Sequence, residues 1–186
     1  MFSAKPKFYV PVKLALPRCP PADFMTLPIP AAWSPAHLKS LRVQAHPLCV
    51  VCSPKNPLGL GLEFTVAEDG SVEGTFAGSV VFEGYSGLLH GGVIATLLDG
   101  AMTNCLFAHG CESVTAELNV RYRHPVVARE TMTVRAWREK SIWRLHLLRA
   151  ELKQNGVVKA TARAKFMEHK PENTESPSFN GNEKSD

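Results

Sequence analysis

Two groups of residues in this 186-residue chain have the types and spacing that chemistry requires. The first is His90-Gly91-Gly92 followed by Asp99, an acid set into a run from Val93 to Leu106 that is otherwise almost wholly apolar or small: Val93, Ile94, Ala95, Leu97, Leu98, Ala101, Met102, Cys105, Leu106. Such a run predicts a helix enclosed by protein on most sides. An unpaired carboxylate there costs on the order of several kcal/mol, so it needs a compensating structure or a task. Adjacent glycines at the helix start leave backbone N–H groups uncrowded, and the helix dipole favours negative charge there. A carbonyl oxygen gaining negative charge can dock at such a place, as in an oxyanion hole. The second group is Cys49-Val50-Val51-Cys52, with His46 close by. One CxxC without a second pair is a weak metal signal, and the redox form would have to open a helix, which Pro54 and Pro57 oppose. These cysteines are read as structural, and no metal is expected.

The elements that must position Asp99 can be read around it. Leu60–Ala67 and Val72–Phe76 flank the turn Glu68-Asp69-Gly70-Ser71 and predict a hairpin. The helix is expected to end at Gly110, with His109 suited to the negative end of the dipole. Four more strands follow, at Ser113–Tyr122, Thr131–Glu139, Trp143–Lys153 and Val157–Glu168, with Asn155-Gly156 as a two-residue turn. An antiparallel sheet wrapped around one long apolar helix is the natural packing, an α+β architecture.

Leu89-His90-Gly91-Gly92-Val93-Ile94-Ala95-Thr96-Leu97-Leu98-Asp99, followed by Thr115-Ala116-Glu117-Leu118-Asn119-Val120-Arg121-Tyr122 and Pro125, resembles the hotdog-fold acyl-CoA thioesterases, in the branch of phenylacetyl-CoA-type and thioesterase superfamily member proteins. The likeness runs from about Asn56 to Met167. It implies a curved antiparallel sheet around a central helix, and hydrolysis of an acyl-CoA to free acid and CoA. In its terms the Gly91 N–H polarises the thioester carbonyl, Gly92 helps bind the substrate, and Asp99 acts as nucleophile or general base. Thr115 would hold the attacking water, and His90 would orient the loop or contact the carbonyl. For the phosphates of coenzyme A the resemblance points to Tyr122, Arg123 and His124 and to Lys140, Ser141 and Arg144. Some relatives place an Asn where this chain has Gly84, which leaves subgroup and substrate open. Phe82, Leu88, Leu89 and Met102 are candidates for the acyl pocket. No cofactor is expected beyond the CoA of the substrate.

Residues 91 and 99 lie roughly 12 Å apart along a helix, too far to act on one thioester. A second subunit is therefore expected, as a homodimer with sites at the interface or a homotetramer built from it. A non-catalytic acyl-CoA binding or sensor protein on the same fold is the alternative, since fold does not fix function. A buried acid at 99 favours the enzyme. A hotdog dehydratase would need another His and acid pattern, which is not found.

Composition bounds the rest. The net charge of +4 divides unevenly, with residues 1–62 at +6, residues 63–167 at +1 and residues 168–186 at −3. A nearly neutral central region argues against a nucleic-acid surface. No apolar run reaches the roughly 20 residues of a membrane span. Residues 1–47 read as an extended, basic, Pro-rich arm with a short helix near Ala36–Gln44, residues 48–169 as the thioesterase domain and residues 170–186 as a disordered polar tail. The apolar arm residues, among them Phe8, Tyr9, Phe24 and Trp33, predict packing on the domain or a partner. Pro11, Lys13 and Pro17 interrupt any signal-peptide core. Five cysteines without framework spacing suit a reducing, cytoplasmic setting.

Overall fold

The computed structural model describes residues 33–168. The expectations for the arm before Trp33 and for the tail from residue 170 lie outside the described residues. Helix α1, Pro35–Ala45, begins where Ser34 caps it, accepting the Ala36 N–H at 3.0 Å, with a proline just inside the first turn. Leu38 and Leu41 are its buried side chains, and the Ser34 N–H donates to the Ala108 carbonyl at 2.8 Å. The start of α1 is thus fastened to the end of the central helix.

Six strands follow: β1 (Phe64–Val66), β2 (Val72–Ala77), β3 (Ser113–Tyr122), β4 (Thr131–Ile142), β5 (Leu145–Gln154) and β6 (Val157–Glu168). They form one sheet in the order β1-β2-β4-β5-β6-β3, every neighbouring pair antiparallel. Between β2 and β3 lies α2, Gly91–Ala108, which packs against all six strands. The α+β arrangement of one sheet around one long helix is therefore the one expected. β1 is shorter than its apolar pattern suggests. Gly61 takes a positive φ of 65°, and the Leu60 and Leu62 N–H groups donate to the Val50 and Val51 carbonyls. Those bonds draw the start of the expected strand onto the Cys49–Cys52 loop instead.

α2 has the length and apolarity of a membrane span, but 67% of it is buried within its own domain, so the sheet supplies its apolar surroundings. Gly110 ends it with a φ of 71°. His109 does not serve the dipole as expected. Burial and nearby Arg138 hold its imidazole down at about 4, so it is neutral near pH 7. It caps through its backbone N–H, which reaches the carbonyls of Cys105, Leu106 and Phe107.

Candidate active site

Asp99 lies on α2, eight residues beyond Gly91, and faces the edge strand β3. It is half-buried, not enclosed as the apolar run suggested, because β3 is the last strand of the sheet and leaves that flank of the helix partly open. The Thr115 hydroxyl donates to Asp99 Oδ1 at 2.8 Å. Burial pushes the carboxyl above the ordinary range, and the Thr115 hydrogen bond opposes that shift. Asp99 Oδ2 has no hydrogen-bond partner among the described residues. Thr115, with its one proton committed to Oδ1, keeps lone pairs that can accept from a water.

The helix start is built differently from its end. His90 is the N-cap residue in extended conformation (ψ 134°), and its Nδ1 accepts the Gly92 N–H at 2.9 Å. That bond assigns the proton of a neutral ring to Nε2. A Cβ on Gly92 would lie 2.9 Å from that same Nδ1, so the cap demands glycine there. The Gly92 N–H is thereby occupied, whereas the Gly91 N–H has no acceptor among the described residues. Of the two glycine donors, the free one is thus the one assigned to the carbonyl. Tyr122, at the far end of β3, donates its hydroxyl to the Gly91 carbonyl at 2.8 Å. One strand therefore ties down both ends of the site, through Thr115 at Asp99 and Tyr122 at Gly91.

The segment before the helix is held by backbone bonds and by Gln154, which sequence reading passed over. The Leu89 N–H donates to the Val126 carbonyl, the Ala128 N–H to the Gly87 carbonyl, and the His90 N–H to the Phe82 carbonyl, each at 2.9 Å. Gln154, only 2% exposed, brackets Val127 by accepting from its N–H and donating to its carbonyl, both at 2.9 Å. A buried glutamine at the end of β5, inside a strand whose residues alternate in burial, was the available sequence signal. Gly84 sits against the His90 ring, where a Cβ would come within 3.0 Å of Cδ2. A larger residue there would displace the cap.

The two stretches expected to hold coenzyme A are not brought together within one chain. Tyr122 pairs with Ala160, and the Arg123 and His124 N–H groups both donate to the Lys159 carbonyl, near the start of β6. Lys140, Ser141 and Arg144 belong to the β4–β5 hairpin, where Leu145 pairs with Met167 near the end of β6. Ala160 and Met167 are roughly 23 Å apart along the strand. Ser141 is engaged with buried His146 Nδ1 at 2.8 Å, and the Arg144 guanidinium donates to the Glu168 carbonyl at 2.8 Å while lying over Trp143. Arg123, His124 and Lys140 remain exposed. Among the acyl-pocket candidates, Met102 and Leu89 are buried in the core, whereas Phe82 and Leu88 are half-buried. A cavity of about 370 Å³ lies elsewhere, between α1 and β1, lined by Leu38, Arg42 and Phe64 among others.

Comparison with known proteins agrees with this architecture. Residues 86–164 match the thioesterase superfamily. Acyl-coenzyme A thioesterase THEM4 of Bos taurus is 37% identical over 71 residues, which is 37% of this chain and 29% of that protein. The chain matches only about a third of the length of the curated relatives. A thioesterase superfamily protein of known structure superposes with a TM-score of 0.61 at 28% identity, over 63% of this chain and 61% of the other. A phenylacetic acid degradation-related protein from Ralstonia eutropha JMP134 gives 0.54 at 27% identity, over 58% of this chain and 85% of the other. The fold is the hotdog fold, and the likeness is to acyl-coenzyme A thioesterases in sequence and to thioesterases in structure.

Proposed function

We propose that the chain is an acyl-CoA thioesterase in which Asp99 is the general base and the Gly91 N–H polarises the thioester carbonyl. The observation that carries this reading is the Asp99–Thr115 pair, a half-buried carboxylate with one oxygen held by a hydroxyl and the other open. In this reading the attacking water donates one proton to Thr115 Oγ1 and the other to Asp99 Oδ2. Attack on the thioester carbon then moves that second proton to the carboxylate and negative charge to the carbonyl oxygen, which the Gly91 N–H stabilises at the positive end of α2. Collapse of the tetrahedral adduct expels the CoA thiolate, and the proton held by Asp99 is returned to it. The site geometry favours this route over direct attack by Asp99, because Thr115 restrains one carboxylate oxygen and provides a seat for water.

Gly91 and Asp99 of one α2 are roughly 12 Å apart along the axis, so one thioester cannot meet both. The working unit is accordingly a homodimer, each site taking the glycine of one protomer and the acid of the other. Two features support it: β3 is a ten-residue edge strand with Val114 and Tyr122 exposed, and Gly91, Gly92, Val93, Ala95, Thr96 and Asp99 of α2 are all open or half-open. Antiparallel pairing of two β3 edges also brings the Arg123 end of one sheet towards the Lys140 end of the other.

Subunit complementation tests both parts. Gly91→Pro deletes the free donor at a position where the first helical turn accepts proline and where His90 is already extended. Gly91→Pro and Asp99→Asn should each be inactive in thiol release from acyl-CoAs. Mixed by co-expression, they should recover about a quarter of wild-type activity, because half the dimers then hold one intact site. A mixture as inactive as its components contradicts the shared site, and a wild-type protein that binds acyl-CoAs without turning any over contradicts the enzyme.

A further inference from the structure

The hydrolytic reading leaves one cluster of reactive side chains unused. Beyond α1 the chain turns through His46 into the Cys49–Cys52 loop, and a ring nitrogen of His46 and the two cysteine sulfurs all lie within 4.8 Å of one another. We propose that His46, Cys49 and Cys52 bind one Zn²⁺, with the fourth tetrahedral position open to solvent, and that the bound ion fixes the loop packed behind Asp99.

The donor set is the first argument. Two thiolates and an imidazole suit zinc, and at bond lengths of about 2.3 Å to sulfur and 2.0 Å to nitrogen the donors of a tetrahedron stand roughly 3.5–3.8 Å apart. Closing from within 4.8 Å takes only sub-ångström movements of each side chain. Charge is the second argument. Zn²⁺ with two thiolates and a neutral imidazole is net neutral, so the assembly can sit beside Phe107 and buried Cys52 without an uncompensated ion. Both sulfurs bind as thiolates, so any thiol proton still held is released to solvent.

The loop is also preformed for the task. The Val51 N–H donates to Cys49 Sγ at 3.3 Å, which orients the sulfur as an outer partner does in metal sites. Ser53 donates its N–H to the Cys49 carbonyl at 3.1 Å and its hydroxyl to the Pro47 carbonyl at 2.7 Å, and the Asn56 amide donates to the Leu48 carbonyl at 3.0 Å. The His46 ring is held edge-on against Phe107 with centroids 4.8 Å apart. Two polar atoms at this cluster are buried without a hydrogen-bond partner: Nδ1 of His46, and Oδ1 of Asn104, whose side chain reaches Cys52 from α2. Buried polar atoms ordinarily find partners, and a bound ion with its water would supply them here.

The consequence for the site is mechanical. Val51, between the two cysteines, presses on Gly100 so closely that a Cβ there would come within 2.5 Å of its Cγ1. Gly100 is the residue after Asp99, so fixing the loop fixes that part of α2. No reaction step passes through the metal.

The test uses the full-length chain purified under reducing conditions. Elemental analysis should find about one zinc per chain. Replacement by Co²⁺ should give thiolate-to-cobalt absorption in the near ultraviolet together with the strong visible bands of a tetrahedral ion. Cys52→Ser should lose the thiolate band, while Cys105→Ala, which removes a buried cysteine outside the cluster, should keep it. His46→Gln, at a half-buried position, guards against a misfolded cysteine variant. It should weaken cobalt binding by more than the roughly 10–100-fold that loss of an outer partner costs. A reduced, folded wild-type chain that takes up neither zinc nor cobalt, or a band that survives Cys52→Ser and His46→Gln, overturns the proposal.

Discussion

Asp99 and Thr115 form a unit whose two members should fail differently. Thr115→Val removes the hydroxyl that lowers the Asp99 pKa against the effect of burial, so the carboxyl should titrate still higher. Because the base must be ionised, activity is lost as pH falls through that value. The acidic limb of kcat should therefore move to higher pH in Thr115→Val, and kcat at its plateau should fall about 10-fold or more, since the water loses one of its two holders. A pH–rate profile measures both; an unmoved acidic limb would show that Thr115 does not govern the base. Gly91→Pro should lower kcat by about 10²–10³-fold with little change in melting temperature, the signature of a lost oxyanion donor. At this scale the sequence was informative. Asp99 announced itself by standing among apolar residues, and Gly91 by its place before them. Which glycine N–H stays free was not legible, because that depends on the rotamer that turns His90 Nδ1 onto Gly92.

The elements that hold these residues were legible where a local pattern sufficed. β3 and β6 fall at the expected residues because the turns at Gly110 and Asn155-Gly156 precede them, and α2 outruns its apolar core by a turn because the His90 cap and Gly110 set its ends. β1 was overestimated, since the bonds that draw Leu60 and Leu62 away come from a loop some ten residues earlier. Gln154 and Val127 are 27 residues apart, and no local pattern could link them. The start of α2 gives the sharpest test of element geometry. Gly92→Ala puts a methyl against His90 Nδ1 and should break the cap, costing about 0.5–2 kcal/mol in denaturant unfolding and swinging the Gly91 N–H off line. A Gly92→Ala protein of wild-type stability and activity would mean that His90 does not set the helix start.

For the molecule as a whole, pH should act on stability through two buried histidines. Burial and Arg138 hold His109 and His146 at about 4, against roughly 6.5 in an unfolded chain. Groups with lowered pKa values contribute stability that is present above the unfolded value and is lost as pH falls towards the folded one. The melting temperature should thus decline between pH 6.5 and 4, by roughly 2–4 °C for each kcal/mol lost. His109→Gln should flatten that decline; a decline of unchanged depth would assign it to other groups. Asp99 has the opposite sign, its raised pKa contributing stability only at low pH, so Asp99→Asn should leave the protein as stable or up to about 1 kcal/mol more stable near neutrality. The assembly was argued from the sequence only through the helical distance between Gly91 and Asp99. The open β3 edge, which depends on sheet order, became visible with the fold.

Thiol release from a panel of short, long and aromatic acyl-CoAs by wild type and Asp99→Asn, with folding of both checked by thermal melting, bears most directly on the central claim. The account predicts turnover by the wild type and a loss of about 10²–10⁴-fold in kcat for a variant that melts no lower. Equal turnover by the two folded proteins would contradict it and leave Asp99 a structural acid.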